Sequence, residues 1–161
     1  MIEVLVSMLL IALWMLSSAS LQVGAIKIQK SAESRLTAVA LVGELAERME
    51  ANRRGASTGD YLLATTSTAT ETISNCAVAN CQPSDIAAYD LAQWTARAAA
   101  SLKTAQFGVA DATPVGGIRT YTISISWQEP RGRQTYGDSA GVSAATETMS
   151  YLTTKVIHDV L

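Results

Sequence analysis

Few residues in this chain are of a type and spacing that do chemistry. Cys76 and Cys81 enclose four residues, and the only histidine, His158, lies near the far end of the chain. Without His or further Cys nearby, the pair lacks the partners of a metal site. A redox-active pair usually has two intervening residues. The pair therefore reads as a local disulfide, which belongs in an oxidising compartment and implies an exported domain. His158 stands alone and reads as structural or solvated. Asp85 and Asp90 suit helix-start and surface positions, and nothing pairs them for acid-base work. No phosphate loop occurs. These residues call for no catalytic group, metal or cofactor. An exported hydrolase stays as the enzymatic alternative, and it requires release of a soluble head by cleavage near Ala19.

The one carboxylate in an unusual setting is Glu3. It precedes 23 residues, Val4 to Ile26, that carry no formal charge. As a helix these would rise about 1.5 Å each, or about 35 Å, enough to cross a hydrocarbon core of about 30 Å. A carboxylate at the mouth of an apolar helix needs water, a cation or a helix N-terminus. Either Glu3 sits among lipid headgroups and favours the helix dipole, or it pairs with a cation on another subunit once the helices leave the lipid. A secretory signal peptide is a third reading, with Ser18-Ala19-Ser20 as its cleavage site. Its n-region should be positive, and Glu3 has the wrong sign.

The elements that position these residues follow from periodicity. Ser31 to Met49 has no proline, and Leu41, Leu45 and Met49 recur every four residues, joined by Ala38 and Val42. That stripe predicts helix packed under a head, with Glu44 and Arg48 four apart in the favourable order. Ala51-Asn52-Arg53-Arg54-Gly55 reads as a helix stop. One helix of about 50 residues is long for a compact domain, and it suits a protruding rod whose first half is covered by neighbours. Residues 1–26 form the transmembrane and assembly half, 27–54 the amphipathic half, and 55–161 a globular head.

Within the head, the Ser/Thr/Ala/Gly-rich stretch from Gly55 to Asn75 predicts a surface loop. An anchored adhesive module gripping a ligand through this loop is an alternative function. Pro83, with Ser84 as cap, predicts a second helix over about 84–102, with Ala87, Leu91, Trp94, Ala98 and Leu102 on one face. Trp94 is expected to anchor the core and to find a partner for its indole N–H. The alternation of Tyr121, Ile123, Ile125 and Trp127 with Thr and Ser predicts a half-buried strand. Further strands are expected around Phe107 and Val109 and over Thr148 to Val160, giving three or four antiparallel strands within about 105–161. Gly116-Gly117 and Gly137 to Ala145 read as turns or irregular stretches. The formal charge is −2, with 12 Lys and Arg in all. Six of these precede Gly55 among acids, so no basic stripe supports nucleic-acid binding.

The opening Met1-Ile2-Glu3-Val4-Leu5-Val6 resembles the start of type IV pilins and pseudopilins. In these, Gly-Phe and a few residues precede a Glu and an apolar helix. By that spacing two mature residues should precede Met1. Glu47-Arg48-Met49-Glu50-Ala51-Asn52-Arg53, the Cys76 and Cys81 pair, and Ala88-Tyr89-Asp90-Leu91-Ala92-Gln93-Trp94 look similar to PilV-type minor pilins. The resemblance implies an α+β, type IV pilin-like fold: a long N-terminal helix, membrane-spanning in its first half, packed on a small antiparallel sheet, with an extra helix in the αβ-loop. It gives Glu3 the role of the assembly contact with a neighbouring subunit's N-terminal amine. It implies a structural subunit that primes or tips the pilus. Its partners would be other minor pilins, the major pilin, a tip adhesin, the inner-membrane assembly platform and prepilin peptidase. The head would lie in the periplasm. A minor pseudopilin of type II secretion is the alternative within the class.

Overall fold

The computed structural model describes residues 2–70, 75–112, 118–130 and 146–158. The chain divides into two units, Met1–Ser34 and Arg35–Leu161. Helix α1 (Ile2–Ala51) is 50 residues long and begins in the first unit. There every large apolar side chain from Ile2 to Ile28 is at least half exposed, with Trp14 at 72% and Leu16 at 77%. By length and composition this helix can cross a membrane. The hydroxyl of Ser7 donates to the carbonyl of Val4 at 2.9 Å, so its polar group is satisfied inside the helix.

In the second unit the rest of α1 buries Ala38, Leu41, Val42, Leu45 and Met49. Their i, i+3, i+4 spacing makes one apolar stripe. Helix α1 ends at Ala51, and a short helix α2 (Arg53–Thr58) follows at once. Asn52 makes this break. Its own N–H still donates to the Arg48 carbonyl at 3.0 Å, while its side chain accepts from the Gly55 N–H at 3.3 Å. Gly59 closes α2 at φ +95°, a left-handed conformation that glycine adopts without strain. A side chain there would also collide with the Arg119 guanidinium.

Strand β1 (Leu63–Thr66) comes next, then helix α3 (Pro83–Ser101) and strands β2 (Gln106–Asp111), β3 (Ile118–Pro130) and β4 (Thr146–His158). The sheet is an antiparallel meander in the order β1-β2-β3-β4. Phe107 pairs with Ile125 and Val109 with Ile123, which sets aromatic and β-branched residues side by side on the core face. Tyr121, Ile123, Ile125 and Trp127 are all buried, while Thr122, Ser124 and Ser126 lie on the other face. Trp94 of α3 meets Phe107 edge-on at 5.9 Å. Its indole N–H donates to the Leu41 carbonyl at 2.8 Å. The core thus joins the α1 stripe, α3 and one face of the sheet. The fold is α+β: a long N-terminal apolar helix with a small four-stranded antiparallel sheet.

Three expectations need correction. The stretch from Gly55 to Asn75 is not a loop throughout, since it holds most of α2 and all of β1. Gly55 and Ala56 are buried because they are small: a Cβ on Gly55 would lie 2.8 Å from the Pro83 carbonyl oxygen. Strand β1 sits where Gly108 leaves space, since a Cβ there would come 2.9 Å from the Thr65 hydroxyl. The cap of α3 is Gln82 rather than Ser84, and its N–H donates to Asp85 at 3.4 Å. Asp90 is not on the surface but buried, as described below. The turns expected at Gly116-Gly117 and over Gly137 to Ala145 lie outside the described residues.

Candidate assembly surface

Two sets of side chains have the character of a site, one in each unit. The first is the apolar half of α1 headed by Glu3. Glu3 lies in the first turn of α1 and is exposed. A negative charge there complements the helix dipole, an effect of about 0.3–1 kcal/mol at an exposed terminus. From Val4 to Leu16 the helix carries Val, Leu, Met, Ile and Trp on all its faces, with Ser7 the only polar side chain. A helix apolar all round is stable only inside lipid or among other apolar helices.

The second set is a polar clasp inside the head, built from Arg48, Asp90 and Tyr61. The Arg48 guanidinium donates to Asp90 Oδ1 at 2.9 Å and to Glu44 Oε1 at 2.8 and 3.0 Å. Tyr61 donates its hydroxyl to Asp90 Oδ2 at 2.6 Å. Asn52 Nδ2 donates to the Tyr61 oxygen at 3.2 Å and to the Pro83 carbonyl at 2.8 Å. Gln93 accepts from Arg48 at 3.3 Å, and Arg97 reaches Glu44 at 2.5 Å. Burial opposes the charge on Arg48, but Asp90 and Glu44 outweigh it and hold the guanidinium above its ordinary range. Burial first, then the bond to Asp90, pushes the Tyr61 phenol far above its ordinary value. All these groups have hydrogen-bond or ion-pair partners in the clasp. The clasp ties the end of α1 to α3 and to the chain that follows α2.

The structure brings residues 47–53 and residues 88–94 together. Residues 47–53 supply Arg48 and Asn52, and residues 88–94 supply Asp90, Gln93 and Trp94. Arg48 joins the two stretches directly through Asp90 and Gln93, while Asn52 reaches Pro83 at the start of α3 and Trp94 reaches Leu41 further up α1. Sequence reasoning missed Asp90 because the interaction spans 42 positions and a lone Asp at mid-helix usually faces water. The available signal was Asp90 one residue before Leu91 and four before Trp94, which places it beside the apolar face. Cys76 and Cys81 are joined in a disulfide. An Asx turn at Asn75 lies next to it, with the Ala77 N–H donating to the Asn75 side chain at 3.1 Å. Among the described residues no group of three or more His, Cys, Asp or Glu is placed to hold a metal ion.

Comparison with known families gives one finding. Residues 20–92 match the Tt1218-like family model, described as type IV pilin Tt1218. The match covers just under half of the chain and begins after Glu3. It takes in α1 from Ser20 onward, α2, β1, the disulfide and α3 as far as Ala92. No curated protein and no solved structure matches the chain. The matched part of the chain is similar to a type IV pilin, and the α+β fold with its long apolar N-terminal helix fits a type IV pilin-like fold.

Proposed function

We propose that this chain is a minor pilin of the PilV kind, a non-catalytic subunit of the complex that primes or tips a type IV pilus. The observation that carries the reading is one helix with two environments. Its first unit exposes apolar side chains all round, while its continuation in the second unit is locked into a folded head. The apolar half holds the subunit in the inner membrane, with the head in the periplasm, where a Cys76–Cys81 disulfide is stable. On assembly the helix moves from lipid into a bundle of pilin helices. Lipid is as apolar as leucine, so burial changes little in that exchange. Close packing and polar pairing decide it. Glu3 supplies the polar pairing by meeting the N-terminal amine of a neighbour, which fixes the register of one subunit against the next. Other minor pilins, the major pilin, a tip adhesin and the inner-membrane assembly platform are the partners.

Glu3→Ala separates anchoring from assembly. The variant is expected to fractionate with membranes at the wild-type level and to be depleted at least tenfold from sheared fibres. That loss equals about 1.4 kcal/mol or more, within reach of one charge-assisted contact. Wild-type incorporation of the variant would overturn the role given to Glu3.

A further inference from the structure

The second unit holds two methionines in opposite settings. Met49 is fully buried in the core. Met149, on β4, is half-buried at the margin of the core and pairs across the sheet with Trp127 of β3. Its sulfur is not left bare. Arg35, in the part of α1 that belongs to the same unit, donates from Nη2 to Met149 Sδ at 3.8 Å. Arg48, Arg53, Arg97 and Arg119 each meet a carboxylate. Among the described residues Arg35 meets none, and its hydrogen-bond partner is this thioether. A thioether is a weak acceptor, so an exposed positive charge rests against a group that satisfies it poorly.

We infer that Met149 is a site of oxidation, and that Arg35 holds the resulting sulfoxide so that oxidation tightens the tie between α1 and β4. The oxidant is a peroxide. A sulfur lone pair takes one oxygen of hydrogen peroxide, and the S–O bond forms as the O–O bond breaks. The proton of the transferred oxygen passes to the departing hydroxide to give water, so sulfur is oxidised and the peroxide reduced. The new oxygen is a strong acceptor in place of a weak one. Turned toward Arg35, it fits within the 3.8 Å that separates nitrogen from sulfur. Its bond to the guanidinium is charge-assisted. Sulfoxides ordinarily disrupt the packing of a core. Met149 escapes this because its sulfur lies at the margin with a cation beside it, whereas a sulfoxide on the fully buried Met49 would have to be desolvated. Oxidation also follows exposure, which puts Met149 ahead of Met49. The Cys76–Cys81 disulfide suits the same oxidising setting.

The test treats the full chain in detergent micelles with dilute hydrogen peroxide. Peptide mass spectrometry places the added oxygen, and the near-UV signal of Trp94 and Trp127 follows thermal unfolding of the head. Met149 is expected to gain oxygen about tenfold faster than Met49. Oxidation of the wild-type chain is expected to raise the unfolding midpoint by about 2–4 °C, the size of one charge-assisted hydrogen bond in a domain of this length. Arg35→Leu, at an exposed helix position, should unfold as the parent does before oxidation and at a lower temperature after it. Met8 and Met15, 64% and 60% exposed, are open to the same reagent, so Met149→Leu is the control and should show no shift. A wild-type midpoint that stays level or falls, an equal rise in Arg35→Leu or Met149→Leu, or oxidation of Met149 no faster than of Met49 would overturn the assignment.

Discussion

Asp90 shows how a single side chain can hold two elements together. Its two oxygens are shared between the Arg48 guanidinium and the Tyr61 hydroxyl, and the residue is 9% exposed. Removing it takes one of its anionic partners from the part-buried Arg48 guanidinium and the close acceptor from the buried Tyr61 hydroxyl. Asp90→Ala is expected to destabilise the head by about 2–4 kcal/mol, read by urea unfolding. The same clasp sets an alkaline limit. Tyr61 and Tyr121 both have phenol pKa values raised, foremost by burial. An unfolded tyrosine loses its proton near pH 10, while the folded ones keep theirs. Above that pH the native state binds more protons than the unfolded state, so stability falls as pH rises. Urea midpoints are expected to be level up to about pH 9 and to drop beyond pH 10. Tyr61→Phe is expected to start lower and drop less. At this scale the sequence was informative where interactions are local. The Glu44–Arg48 pair was legible from its spacing, and Trp94 from its place on an apolar face. The Arg48–Asp90 pair was not, because nothing local marks a carboxylate that will be met by a cation from another helix.

Among the elements, α1, α3 and β3 were readable because each repeats its apolar residues at the period of its own geometry. The stripe Ala38, Leu41, Val42, Leu45, Met49 and the alternation Tyr121, Ile123, Ile125, Trp127 are both buried in the fold. Strand β1 was hidden because Leu63-Ala64-Thr65-Thr66 is too short for a period and sits in a Thr-rich stretch. What admits it is a distant residue, Gly108, whose missing side chain leaves room for Thr65. Helix α2 was hidden for a similar reason, since Arg53-Arg54-Gly55 looks like a stop until Asn52 is seen to cap a new turn. Two glycines separate backbone need from tolerance. Gly59 has φ +95° and lies against Arg119, so Gly59→Ala is expected to cost about 1–2 kcal/mol. Gly43 is mid-helix with nothing within 4 Å of where a Cβ would stand. Gly43→Ala is therefore expected to stabilise the head by about 0.5–1 kcal/mol. Thermal unfolding of the two variants beside the parent checks both signs.

For the whole molecule, the proposed function asks the same helix to satisfy two solvents. Its head-proximal half pairs its charges, through Glu44, Arg48 and Glu50, with α3, α2 and β4. Its first half has no charge after Glu3 until Lys27. That contrast was plain in the sequence, because charge and length suffice to read it. The identity of the covering surface was not, since lipid and a sheath of sister helices are equally apolar to a leucine. A photoreactive residue in place of Leu9, which is 60% exposed, distinguishes them directly. The chain should give lipid adducts when isolated in membranes and pilin adducts when isolated in sheared fibres. Lipid adducts in both fractions, or a chain absent from fibres altogether, would contradict an anchor that exchanges lipid for neighbouring subunits.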